Sequence, residues 1–368
     1  MRITLVCSSL DCGGAERVVT LLSQGFLSKG HEVCVVTLSS KEDDFYTLPS
    51  KVNRLALNLR NNSQNIFQAI KNNLSRLRKL KQAIISTEPD IVISHLVSTN
   101  ILVTLSMIQT KYPVILTEHN NPKMISKGKL WKLLRRLIYP YASKIVSVSD
   151  GLKNSFQWIS ESKLITIYNP FLLPENKDSN NENSITIDTK KKTIVSMGRL
   201  TEQKGFDILL SAFAKVAPYY PDWQLLILGK GDEKQFLEKL KDDLGLCEQA
   251  FFIGTVKDPS VILEKAQLFV MSSRYEAFPM AHGEAMACGL PVIATDCPFG
   301  PREIIRHEID GILVSNEDIS ELADKMSLLM SDDEKRNRLA AKATEVVERF
   351  SLEKIIDNWE QLILEVII

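Results

Sequence analysis

Two carboxylates separated by seven residues, Glu276 and Glu284, lie in the stretch Ser-Ser-Arg-Tyr-Glu-Ala-Phe-Pro-Met-Ala-His-Gly-Glu-Ala-Met-Ala-Cys-Gly-Leu-Pro at 272–291. The first falls in a segment with the composition of a loop and the second in a helical tract, so a loop and a helix could grip one ligand at two points. Glutamates are more often solvated than functional. Here, however, the neighbours of Glu284 are small, which implies close packing, and a carboxylate packed that closely needs a partner. A second constellation, Gly-Arg-Leu-Thr-Glu-Gln-Lys-Gly at 198–205, places Arg199 and Lys204 five residues apart with flexible backbone around them. Two cations spaced this way suit the neutralisation of a diphosphate. His119, in Thr-Glu-His-Asn-Asn-Pro at 117–122, follows an apolar strand and is either a substrate contact or a structural histidine. Gly13-Gly14 follows the first apolar run and opens a helix, whose N-terminus could approach an anion closely.

These residues need strands to carry them to one edge. Apolar, β-branched runs at 2–7, 32–38, 90–94, 113–117 and 144–148 predict a first set of strands, separated by helical patterns that begin with a helix at 14–25. A second set is predicted at 193–197, 224–228, 250–253, 266–271 and 291–295. The segment 280–288 carries alanines and methionines at helical spacing and is stopped by Gly289 and Pro291. Further helices are expected at 333–349 and 352–366. The class is α/β, with two Rossmann-like doubly wound parallel-sheet lobes and ligands held beyond the C-terminal ends of the strands. The polar, turn-rich segment 174–191 predicts a connection. The expected division is an N-terminal lobe over 1–170, a linker over 171–191, a C-terminal lobe over 192–350 and a terminal helix over 351–368 that returns to the N-lobe.

Composition limits the function classes. The chain has 368 residues, 44% of them hydrophobic and 24% charged, which is ordinary for a globular protein of two domains. Its 45 basic and 45 acidic residues give zero formal charge, against a dedicated nucleic-acid binder. Residues 1–168 hold 22 Lys and Arg against 11 Asp and Glu, so the remainder holds 23 against 34. The basic half suits an anionic membrane or a phosphate-bearing acceptor; the lesser alternative is that opposite charges simply help two lobes attract each other. Six cysteines without a Cys-x-x-Cys pair suggest a reduced, cytosolic protein. No signal peptide is expected, and no apolar run reaches the roughly 18 residues of a spanning helix. Gly13-Gly14 is not part of a Gly-x-Gly-x-x-Gly sequence, and the second strand ends in Thr37, Leu38 and Ser39 where a nicotinamide enzyme needs an acidic residue.

The Glu-x7-Glu pair, the 198–205 loop, Gly-Leu-Pro-Val-Ile-Ala-Thr at 289–295, Gly-Pro-Arg-Glu-Ile-Ile at 300–305 and Asp-Gly-Ile-Leu-Val at 310–314 resemble the motifs of glycosyltransferase family 4, retaining enzymes of the GT-B fold. The resemblance covers essentially the whole chain, and it implies an acceptor-side lobe over 1–170 and a nucleotide-sugar-binding lobe over 192–350. Gly-Gly-Ala-Glu-Arg at 13–17 and Glu-His-Asn at 118–120 are similar to its bacterial branch. That branch assembles surface polysaccharides and lipid-linked glycans, and includes N-acetylgalactosaminyltransferases acting on undecaprenyl diphosphate glycans. The resemblance implies that Arg199 and Lys204 bind the donor diphosphate and Glu284 the nucleotide ribose. It implies that Glu276, with the backbone of Ala277, Phe278, Pro279 and Met280, contacts the donor sugar. Gly254, Thr255 and Val256 would frame the base, Gly14 would approach the diphosphate, and His119 would lie beside the sugar. One departure is His282-Gly283, where many relatives carry an apolar pair.

The expected reaction is transfer of a hexose or N-acetylhexosamine from a UDP-sugar to a sugar hydroxyl with retention, without a metal or other cofactor. Rival readings are a UDP-sugar 2-epimerase of the same two-lobe fold and a non-catalytic glycan-assembly subunit. Lys129, Lys132, Arg135 and Arg136 lie among leucines in a basic amphipathic segment that suits an anionic interface, and Lys71 and Arg78 belong to a second basic helix that could meet acceptor diphosphates. Peripheral attachment at the inner face of the cytoplasmic membrane is expected, with no nucleic-acid partner.

Overall fold

The computed structural model of the protein describes residues 1–59, 66–122, 128–174 and 190–368, and the backbone alone for 66–73 and 128–130. The chain forms two compact units, one of Met1–Pro170 with Leu352–Ile368 and the other of Phe171–Ser351. Most of the segment expected to act as a linker lies outside the described residues.

In the first unit the strands are β1 (Arg2–Cys7), β2 (Glu32–Thr37), β3 (Asn53–Ala56), β4 (Ile91–His95), β5 (Val114–Glu118), β6 (Lys144–Ser147) and β7 (Leu164–Thr166). They form one parallel sheet in the order β3-β2-β1-β4-β5-β6-β7. The central strands are buried along their whole length, as near-continuous apolar runs covered by helices on both faces must be. The order reverses between β1 and β4, and that reversal opens a crevice beyond the strand ends where doubly wound sheets bind ligands.

The second unit repeats the plan with β8 (Lys192–Met197), β9 (Trp223–Leu228), β10 (Ala250–Gly254), β11 (Leu268–Met271), β12 (Val292–Thr295) and β13 (Gly311–Val314). Its order is β10-β9-β8-β11-β12-β13, so the reversal falls between β8 and β11. Leu225, Ile227, Leu268, Val270 and Phe213 pack into one apolar core beneath it.

Three strands, β3, β7 and β13, were not expected as strands. They are three or four residues long, and β3 is only half-buried, so apolar periodicity has little to act on. The first helix also runs past Gly25, to Ser28. A Cβ at Gly25 would stand 2.4 Å from Cγ1 of Ile356, so this glycine lets the terminal helix Leu352–Ile367 approach closely and does not end its own helix.

Candidate active site

In the second unit the two sequence constellations leave adjacent strands at the reversal point. The 198–205 loop follows β8 and the 272–279 loop follows β11. They are tied together along their length. Ser272 Oγ donates to the Gly205 carbonyl at 2.6 Å, Arg274 N to the Gln203 carbonyl at 2.8 Å, and Gln203 Nε2 to the Tyr275 carbonyl at 3.0 Å. Gly205, at φ +62°, must be glycine, because a Cβ there would fall 2.1 Å from the Ser272 carbonyl oxygen.

This lacing brings Lys204 to Glu276. Lys204 Nζ donates to Glu276 Oε1 at 2.5 Å, and Ser273 Oγ donates to the same oxygen at 2.7 Å. Glu276 is 6% exposed. Burial by itself would push its carboxyl up, but the ammonium and hydroxyl outweigh burial and hold it below the usual carboxylate range. Arg199 lies on the same loop as Lys204, exposed and without an ion pair among the described residues. Arg274 does not face a ligand site, since it is locked bidentate on Asp207 at 2.9 and 2.6 Å.

The helix Met280–Ala287 begins beyond Pro279, which offers no side-chain cap, and so leaves its first backbone N–H groups to other partners. Ala277, Phe278, Pro279 and Met280 line that start and are buried. Glu284 is half-buried, about one turn along. His282 is buried with neither ring nitrogen bonded among the described residues, and burial lowers it to about 4, so it is neutral. Gly283 accommodates the Phe171 ring, whose Cζ would lie 2.1 Å from a Cβ. The His-Gly departure therefore has a packing cause on its glycine side. Gly254, at φ +83°, ends β10 with open space beside it, followed by exposed Thr255 and half-buried Val256.

In the first unit Gly14 is exposed at the start of its helix, behind Gly13 as N-cap. Glu16 folds back over this end, and a Cβ on Gly13 would meet its Oε2 at 2.3 Å. An anion approaching Gly14 therefore shares the helix start with a carboxylate. His119 follows β5 and is bonded through Nε2 to His95 Nδ1 at 3.0 Å. Burial lowers His119 to about 3 and His95 well below the imidazole range.

The basic segments come out differently from their expected role. Arg135 is removed from the exposed face of the helix Gly128–Ile138: its side chain is 8% exposed and its guanidinium donates to Glu118 Oε2 at 2.7 Å. The reason is helical phase. Arg135 points with Ile138 toward the sheet, whereas Lys132, Leu133, Arg136 and Leu137 point outward. Arg78 is exposed, while the side chains of Lys71 and Lys129 lie outside the described residues. Sequence reasoning missed Ser273 and His95. Both sit at or just after a strand end at a reversal point, which was the available signal.

Two doubly wound parallel sheets, each with polar side chains gathered beyond the strands at its reversal point, define a two-lobe Rossmann-like protein of the GT-B fold. Solved structures agree on the fold: HepE from Anabaena, in complex with UDP and glucose, superposes with a TM-score of 0.79 at 19% identity, covering 99% of this chain and all of that one. Sucrose-phosphate synthase from Thermosynechococcus elongatus does so at 0.84, also at 19% identity, over 100% and 99% of the two chains. The family model described as Glycosyltransferase Family 4 matches residues 12–171, and that described as Glycosyl transferases group 1 matches 177–346. The chain is a glycosyltransferase of the family 4 type. It is 27% identical, over 100% of its length and 99% of the relative's, to the Campylobacter jejuni α-1,4-N-acetyl-D-galactosaminyltransferase named for a GalNAc-containing undecaprenyl diphosphate glycan. It is 28% identical to an uncharacterised glycosyltransferase of Haemophilus influenzae, over 96% and 97% of the two chains. The epimerase and scaffold readings give way to this assignment.

Proposed function

We propose that the enzyme transfers a hexose or N-acetylhexosamine from a UDP-sugar, with retention, to a sugar hydroxyl of a polyprenyl-diphosphate-linked glycan or growing surface polysaccharide. The observation that carries this reading is the Lys204–Glu276–Ser273 cluster beside unpaired Arg199, on two laced loops at the reversal point between β8 and β11. Arg199 and Lys204 bind the donor diphosphate. Glu276 orients the sugar together with the backbone at 277–280, Glu284 holds the ribose, and Gly254 to Val256 frame the base. Gly14 and His119, which belong to the first unit, are assigned by the family resemblance to the diphosphate and the sugar.

The acceptor hydroxyl oxygen attacks the anomeric carbon on the face from which UDP departs. The bond from that carbon to the diphosphate oxygen breaks, the new glycosidic bond forms, and the departing diphosphate oxygen takes the hydroxyl proton. Charge building on UDP is met by Arg199 and Lys204, preorganised donors of the kind that carry much of catalysis. No metal is invoked. The UDP complexes of HepE and of TarM from S. aureus support the donor, and the named acceptor of the C. jejuni relative supports the acceptor class.

Among the described residues no helix is long and apolar enough to cross a membrane. Exposed Lys132, Leu133, Arg136 and Leu137, with Tyr141 beyond them, support attachment to an anionic inner-membrane surface. The test is a panel of UDP-sugars with polyprenyl-diphosphate-linked acceptors, following UDP release and product mass. Turnover restricted to a non-uridine donor, or inversion at the anomeric carbon, sinks the corresponding part. Failure to co-float with anionic vesicles at low salt sinks the membrane part.

A further inference from the structure

His95 has no role in the reaction above, yet it occupies a conspicuous position. It is the last residue of β4, the strand that adjoins β1 at the reversal point of the first sheet, and its side chain is fully buried. The next residue, Leu96, has φ +73° and ψ 143°, a conformation that a branched, non-glycine residue adopts only under constraint. The constraint is visible: Leu96 N donates to the Thr117 carbonyl at 3.3 Å, and its own carbonyl accepts from Asn100 N at 2.8 Å. Backbone strain is thus spent on holding the end of β4, and with it the His95 ring, against the end of β5. There His95 Nδ1 meets His119 Nε2 at 3.0 Å, with ring centroids 5.3 Å apart.

The bond has a direction. Both rings are neutral, so one of the two facing nitrogens carries the proton and the other the lone pair. His95 Nε2 is buried without a partner among the described residues. If His119 donated, His95 would keep its proton on Nε2, an orphaned N–H in the interior. If His95 donates, only a lone pair is left unpaired there. Orphaned buried N–H groups are rarer than under-satisfied acceptors, so the second arrangement is favoured.

We propose that His95 is a positioning residue for sugar transfer: its Nδ1–H donates to His119 Nε2 and fixes His119 in the tautomer that carries its proton on Nδ1, a hydrogen-bond donor toward a sugar hydroxyl and not a base. No hydrogen bond among the described residues engages His119 Nδ1, so its proton is free for a ligand. The inference rests on the placement of His119 beside the sugar in the proposed function.

The test reads the tautomer directly. Two-bond proton–nitrogen correlation spectra of the full chain, labelled with 15N-histidine at neutral pH without substrate, resolve the five histidines, assigned by single substitutions. His119 is expected as the Nδ1–H form. His95→Asn, whose amide nitrogen takes the place of Nδ1, keeps that form and holds kcat/KM within about twofold of the parent. His95→Phe releases His119 to the Nε2–H form and lowers kcat/KM about three- to tenfold, the worth of one lost hydrogen bond. An Nε2–H His119 in the parent enzyme, or a folded His95→Asn enzyme as impaired as His95→Phe, overturns the inference. Should His95→Phe not fold, the parent spectrum and His95→Asn decide. Because the tautomer is read without substrate, an Nδ1–H His119 in a chain that transfers no sugar counts against the proposed function alone. An Nε2–H His119 in an active enzyme counts against this inference alone.

Discussion

Each unit buries a glutamate at the C-terminal side of a central strand and pairs it with a cation, but the two pairs are built for different ends. Glu118 closes β5 and is fully buried; Arg135 and the Tyr139 hydroxyl both donate to it. The guanidinium lies over the rings of Tyr139 and Phe156, at 5.6 and 5.4 Å, so aromatic side chains close the pair off from water. Burial and the neighbouring Glu118 carboxylate push the Tyr139 phenol well above its ordinary range, which keeps it a donor at any working pH. Glu276 has a different partner. Lys204 commits one ammonium proton to it, keeps its other donors, and shares a loop with exposed Arg199. A buried ion pair sealed from water holds a fold together, whereas one whose cation keeps spare donors at a strand-end crevice can change partners when a ligand arrives.

The largest expected effect tests the sealed pair. Arg135→Ala leaves Glu118 buried and unpaired and should lower unfolding free energy by about 3–5 kcal/mol in urea titration, with turnover per folded molecule nearly unchanged. A loss of turnover out of proportion to unfolding would make the first pair part of the site and break the contrast. Lys204→Ala should reverse the balance: kcat falls by about 10²–10³, as for loss of a preorganised donor to the departing group, while stability falls less than in Arg135→Ala because this pair is the less buried of the two, with side chains 14% and 7% exposed against 8% and 0%. Tyr139→Phe sharpens the first half. It removes one charge-assisted bond from Glu118 and should cost about 1.5–3 kcal/mol, again without a kinetic signature.

The smallest effect is a pH dependence. Because the folded-state pKa of Glu276 is depressed, its ionised form contributes stability above the unfolded carboxylate pKa, and that contribution is lost as pH falls through the lower folded value. Glu276→Gln should flatten this part of the acid limb in a series of melting temperatures against pH. An unchanged acid limb would mean that Lys204 does not hold the carboxylate in solution.

How much of this was legible depended on range along the chain. The strands of both sheet centres were readable as apolar β-branched runs, and the helix Met280–Ala287 was marked by Gly289 and Pro291 behind it. The edge strands were not, since a three-residue strand such as β7 has no periodicity to detect. Arg199, Lys204 and Glu276 could be picked out because loops at strand ends carry their own composition. The bond between Lys204 and Glu276 spans 72 residues and follows from β8 and β11 being neighbours, which only the sheet order reveals. Arg135 failed for a related reason. Its helix alternates basic and apolar residues so evenly that the inward turn is decided by Glu118, 17 residues earlier.

The backbone at the two ends of the second unit has a further consequence. Phe171 N donates to the Phe350 carbonyl at 2.9 Å, Phe171 bridges to Ser351, and the Phe171 ring stacks on Phe278 at 5.7 Å. The stretch 171–351 therefore begins and ends side by side, as a module inserted into a host does. Its two ends are already joined through the chain's own hydrogen bonds, so this compact unit is the natural piece to excise, cyclise or exchange with that of a relative.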